Sequence, residues 1–139
     1  MIVPSFRTPE VILFSENVER AAAFYSSLGF DETFRVPIDE GPIHVDLVLD
    51  GYKIGIASVD STRDDHGLDP VPNGQRAAVI LWTDDTAAAF AEVTAGGAPG
   101  LVLPHEWLGR LLIAWVADPD GNLIQIVQPL SRNGTIAAP

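Results

Sequence analysis

Cysteine is absent from the 139 residues, so disulfides, thiol catalysis and cysteine-bound metals are excluded together. Basic residues are scarce: eight Lys and Arg stand against nineteen Asp and Glu, for a formal net charge of −11. A phosphate backbone would be repelled by that balance, so nucleic acid is not an expected partner, whereas a cationic ligand would be attracted. Nothing more than solubility is needed to explain acidity of this size. No apolar run reaches the ~20 residues that cross a bilayer, and the first residues lack a signal-peptide pattern; a cytoplasmic protein with no membrane association is expected. Also missing are a Gly-rich phosphate loop, a Gly-x-Ser-x-Gly elbow and a His-Glu-x-x-His helix.

Hydrophobic residues make up 47% of the chain, enough for a packed core in one ordinary domain or two small modules. The most informative stretch is Asp118-Pro-Asp-Gly-Asn-Leu-Ile-Gln-Ile-Val-Gln128. It begins as a turn, with Pro119 fixing one dihedral and Gly121 tolerating positive φ, and continues as a strand of period two. One face of that strand places Gln125 between apolar neighbours. Upstream, Asp50-Gly-Tyr-Lys-Ile-Gly-Ile56 repeats the pattern with Gly55 in the place of Gln125.

A second echo precedes each of these. Val11-Ile-Leu-Phe-Ser-Glu-Asn17 matches Val79-Ile-Leu-Trp-Thr-Asp-Asp85 with three identities and four conservative pairs. Both copies read as a strand running into a helix cap, at Asn17 in one and at Asp84 or Asp85 in the other. The first helix extends to about residue 28 with an apolar stripe of Val18, Ala21, Ala22, Phe24, Tyr25 and Leu28, and Gly29 stops it. Residues 30–36, 43–50 and 52–59 read as strands, the last two joined by an Asp-Gly hairpin turn. Residues 60–75 are polar and read as a connector. A strand over 77–83, a helix over 86–95, short strands near 101–103 and 110–117 and a closing strand over 122–128 complete the second copy.

The expected fold is therefore α+β, a single domain of two βαβββ modules. Residues 10–60 form the first unit and 76–128 the second, flanked by an arm (1–9) and a tail (129–139). Each module is too small to bury its own sheet face, so the pair is expected to form a half-closed mixed sheet around a cavity with helices outside. The proline-bearing arm suits exchange between the subunits of a homodimer.

Candidate site residues follow from polarity and aromatic content. His44 and Asp46 share a strand face at i, i+2; they fit either general-base work or the polar side of a half-buried strand. His105 and Trp107 are placed in a loop before residue 110. Trp82 and Trp115 lie on strands, where they either line a cavity as a stacking surface or pack against helices. His66, in an acidic stretch, is expected to be solvated.

Tandem βαβββ units, a Phe24-Tyr25 helix ending in Leu28-Gly-Phe30 and the Asp118-Pro-Asp-Gly-Asn-Leu-Ile motif resemble the vicinal oxygen chelate superfamily, over residues 10–128. That group includes glyoxalase I, extradiol dioxygenases, fosfomycin-resistance enzymes and bleomycin-resistance binding proteins. The resemblance implies metal ligands on the first and last strands of each unit, at Glu10, Gly55, Ala78 and Gln125. Gly55 and Ala78 carry no ligand atom, so the implied chelate is broken and no cofactor is expected; a divalent metal held by Glu10 and Gln125 is the alternative. The chain is thus expected to be a binding protein for a small organic, cationic and aromatic ligand, oriented by Glu10, His44, Asp46, His105 and Gln125 against Trp82, Trp107 and Trp115. A metal-dependent lyase, isomerase or dioxygenase with an atypical ligand set is the alternative class. An enzyme without metal, using His44 or Glu10 as base, is a third.

Overall fold

The computed structural model describes residue 5, residues 7–70, residue 74 and residues 77–130. Most of the arm, part of the connector and the tail from residue 131 onward lie outside these. The chain divides into two compact units, 1–72 and 73–139.

In the first unit, β1 (Val11–Ser15) leads into α1 (Val18–Ser27), followed by β2 (Asp31–Val36), β3 (His44–Leu49) and β4 (Tyr52–Ser58). Strand order is β1-β4-β3-β2, parallel between β1 and β4 and antiparallel elsewhere. Asn17 caps α1 by accepting from the Arg20 amide, satisfying one of the donors a helix start leaves open. The helix covers one sheet face. Val18, Ala21, Ala22 and Tyr25 from α1 are buried with Leu13, Val45, Leu47, Ile54 and Ile56 from the strands. Tyr25 is fully enclosed and meets Phe24 and Phe30 edge-to-face at ring separations of 5.2 and 5.6 Å. Each large aliphatic side chain enclosed here contributes about 1.5–3 kcal/mol of transfer free energy.

The second unit repeats the plan: β5 (Ala78–Trp82), α3 (Thr86–Ala95), β6 (Gly100–Trp107), β7 (Leu111–Ala117) and β8 (Leu123–Pro129), in the order β5-β8-β7-β6. Asp85 is the cap, accepting from the Ala88 amide. Ala114, Val116, Ile124 and Ile126 are buried on the α3 side. Buried Thr86 ties the helix start to the sheet: its amide donates to Gln128 Oε1 at 2.7 Å and its hydroxyl to the Leu112 carbonyl at 2.9 Å. The two mixed sheets with their helices make the fold α+β, and the duplication is exact in register. Ile12 pairs with Gly55 in one unit and Ile80 with Gln125 in the other, as the two sequence echoes require.

Three expectations need correction. Val59, expected to end a strand, and residues 60–66 of the polar connector form a helix, α2 (Val59–His66). Ser58 caps it by accepting from the Ser61 amide, Val59 and Thr62 are buried, and Gly67 closes it in the left-handed region. Two inward residues in eight are too thin a stripe to be recognised beside Asp60, Arg63, Asp64 and Asp65. His105 and Trp107 are not in a loop: both lie on β6, which is longer than expected. Pro104 interrupts its pattern, but β6 is an edge strand, where a missing amide donor is tolerated. Finally, Pro129 belongs to β8, so the tail starts later than residue 129.

The turn before β8 is held by its aspartate. Asp118, only 2% exposed, accepts from the Asp120 and Asn122 amides at 2.9 and 2.8 Å through Oδ1, and from Asn122 Nδ2 at 2.8 Å through Oδ2. The earlier echo is a tighter device. Asp50 and Gly51 both take positive φ, as a two-residue hairpin of right-handed twist demands.

Candidate functional site

Strand alternation gives each sheet two faces, and each unit's main helix, α1 or α3, covers only one. In the first unit the other face carries Ile12 and Phe14 from β1, Gly55 and Ala57 from β4, His44 and Asp46 from β3, and Phe34 and Val36 from β2. Ile12, Phe14, Phe34 and Val36 are all exposed, with Phe34 at 50%. Glu10 precedes β1 on the same side and lies 3.7 Å from Lys53 Nζ.

The polar centre of this face is His44 and Asp46. Their Nε2 and Oδ1 atoms are 2.7 Å apart, and the imidazole stands edge-on to the Phe34 ring at 6.1 Å. The pair lies directly over Gly55. A Cβ built there would be 3.1 Å from His44 Cε1 and 3.2 Å from Asp46 Oδ1, so the bare glycine makes room for the contact. Ligand-capable atoms of Glu10, His44 and Asp46 fall within 4.8 Å of one another. The sequence placed His44 and Asp46 on one strand face and grouped Glu10 with them as ligand-orienting residues; the structure brings the three within reach of one another.

In the second unit the face away from α3 carries Ala78, Ile80 and Trp82 from β5, Leu123, Gln125 and Val127 from β8, Ile113 and Trp115 from β7, and His105 and Trp107 from β6. All five candidates from this half, Trp82, His105, Trp107, Trp115 and Gln125, therefore share one face. Trp115 is directly opposite Gln125 and packs against a small cluster of Leu111, Ile113 and Val127. Trp82 and Trp107 are 37% and 52% exposed. His105 turns its Nδ1 to the Leu103 carbonyl at 2.8 Å.

By register, Gly55 and Gln125 are equivalent, as are Asp46 with Trp115 and His44 with Ile113. One copy thus concentrates charge where the other presents an indole and an aliphatic. Phe34 escaped the sequence reading. A bulge between Glu32 and Phe34 turns Glu32 toward the α1 side and Phe34 toward the open one, although plain alternation puts them together.

The four chelating positions implied by the resemblance can now be tested for fit. Gly55 offers no side chain and Ala78 a methyl group; Glu10 and the Gln125 amide are what remains. Catalytic transition-metal sites ordinarily take three protein ligands, and an amide oxygen is a weak one. These four positions do not fit a chelated metal.

Solved structures with the same fold include hypothetical protein SA1046 from S. aureus (TM-score 0.76, 16% identity, covering 90% of this chain and 95% of that one). TioX from Micromonospora sp. ML1 superposes with a TM-score of 0.70 at 23% identity, covering 87% of this chain and 97% of its own. Lactoylglutathione lyase from Agrobacterium tumefaciens gives 0.66 at 21% identity, with 90% and 95% covered. Identities this low speak to the fold alone. No curated protein sequence matches the chain. The sequence model of the Glyoxalase/Bleomycin resistance protein/Dioxygenase superfamily, however, matches residues 7–126, and with the duplicated βαβββ units in register it places the chain in that superfamily.

Proposed function

We propose that the protein binds a small organic molecule on the open faces of its two sheets, without a metal at the four chelating positions of its superfamily. One observation carries this: each sheet buries one face under its main helix and leaves the other lined by exposed apolar and aromatic side chains with a few polar groups among them. Ile12, Phe14 and Phe34 in one unit and Ile80, Trp82 and Trp107 in the other are exposed. Contiguous apolar surface of this kind marks a ligand or partner site rather than ordinary exterior. Planar rings supply contact area, with Glu10, His44 and Asp46 as the orienting polar groups on the first unit's face and His105 and Gln125 on the second's. The net charge of −11 favours a cationic aromatic ligand of the antibiotic type and raises its on-rate.

All three tryptophans lie on the open face of the second unit, so their emission is a direct probe. Titration with a panel of intercalating and glycopeptide antibiotics is expected to quench or shift it saturably for at least one compound. Flat titrations across the panel would end the drug-binding version. The protein is further expected to be a homodimer, which sedimentation at low micromolar concentration checks.

A further inference from the structure

The geometry points to a divalent-cation site on the open face of the first unit, formed by Glu10, His44 and Asp46; it shares Glu10 alone with the superfamily's four chelating positions and takes its other two ligands from β3. Glu10 immediately precedes β1 and the other two residues are on β3, with β4 between β1 and β3 in the sheet. Strands two apart are roughly 10 Å from each other in the hydrogen-bonding direction, so a side chain on the intervening strand would normally separate such groups. Here the intervening residue is Gly55, which pairs with Ile12 on one side and Asp46 on the other. His44 and Asp46 lie over it, and their ligand-capable atoms and that of Glu10 fall within 4.8 Å of one another.

The donor set suits a first-row divalent ion. One imidazole nitrogen and two carboxylates bring two negative charges to a 2+ ion. Bonds of about 2.1 Å set adjacent ligand atoms roughly 3 Å apart. The 2.7 Å between His44 Nε2 and Asp46 Oδ1 is close to that, so these two need little movement, while Glu10 must close in. An imidazole among the ligands disfavours Mg(II) and Ca(II) relative to Mn(II), Fe(II), Co(II) and Zn(II). The side chains are 25% (His44), 14% (Asp46) and 27% (Glu10) exposed, leaving an open side for water or for a ligand oxygen. Lys53 competes for Glu10 at 3.7 Å and opposes the ion. The organic-ligand proposal does not depend on this site, and either can fail alone.

The test is titration of the full chain, freed of metal by chelator and dialysis, with Mn(II) followed by electron paramagnetic resonance and with Zn(II) followed by calorimetry. One ion per chain is expected. Affinity should fall at least tenfold in each of His44→Gln, Asp46→Asn and Glu10→Gln, and change less than twofold in Gln125→Ala. Lys53→Met should bind more tightly than the parent, a gain that a merely structural role for these residues would not produce. Gly55→Val, which refills the gap, should abolish binding while circular dichroism shows the sheet intact. Absence of stoichiometric binding at millimolar metal would overturn the proposal. So would binding that survives His44→Gln and Asp46→Asn, or binding that Gln125→Ala removes.

Discussion

Asp118 offers the sharpest test of how the second unit is held together. Its buried carboxylate accepts three hydrogen bonds, two from backbone amides of the turn that feeds β8. Each hydrogen bond to a charged acceptor is worth about 1.5–3 kcal/mol net. Asp120 and Asn122 are only half-buried residues, so water is close enough to recover part of the loss at their amides. Asp118→Ala is therefore expected to cost about 3 kcal/mol. Asp118→Asn keeps one oxygen for the two amides but sets its own NH2 against that of Asn122, and about 1–2 kcal/mol is expected. Urea unfolding followed by tryptophan emission is the assay, because Trp82, Trp107 and Trp115 all report on this unit. Far-UV circular dichroism on the same samples shows whether the first unit melts with it. Stability should order as parent, Asn, Ala, with unchanged urea dependence. An alanine variant within about 0.5 kcal/mol of the parent would refute the role given to the carboxylate.

Three further outcomes are expected. Gln128→Ala removes the acceptor for the Thr86 amide at the start of α3 and should cost about 1 kcal/mol in the same urea assay, the usual size of a lost helix cap. Trp82→Ala, at a half-exposed position on the open face, should change stability by less than about 1 kcal/mol while weakening the tightest antibiotic of the panel about tenfold or more in fluorescence-independent calorimetry. Glu19 joins α1 to β2 through Arg35, whose hydrogen bond holds the carboxyl below its ordinary range; the guanidinium is in turn held charged by Glu32 and Glu19. A carboxyl with a folded pKa below its unfolded one stabilises above the unfolded value and loses that contribution as pH falls through the folded one. The parent should therefore exceed Glu19→Gln in urea midpoint at neutral pH, and the difference should shrink and vanish as acid protonates Glu19 in the folded as well as the unfolded chain. A gap that persists in acid would contradict the ion pair as its source.

The duplication and its register were legible in the sequence because two separate echoes, residues 11–17 with 79–85 and 50–56 with 120–126, constrain the same pair of strands. Caps at Asn17 and Asp85 were legible for a local reason: a short polar side chain bonds an amide three residues on. What escaped is what the sheet itself decides. A bulge in β2 swaps the face of every residue beyond it, so Phe34 could not be placed by counting, and β6 was cut short at Pro104, whose missing amide breaks the strand pattern. The cap that Gln128 gives Thr86 spans 42 residues of sequence. Glu10 meets His44 and Asp46 only because strand order sets β4 between β1 and β3 and Gly55 leaves the gap, and neither fact is written in any local pattern.

The central claim is that the faces turned away from α1 and α3 are where a ligand sits. Two-dimensional 1H–15N spectra of the full chain, recorded with and without the tightest antibiotic of the panel, address it directly. The account predicts that the indole signals of Trp82, Trp107 and Trp115 shift together with the amide of Gln125 on the same open face, while α3 stays still. Saturation that moves only helix amides, or leaves all three indoles where they were, would contradict it.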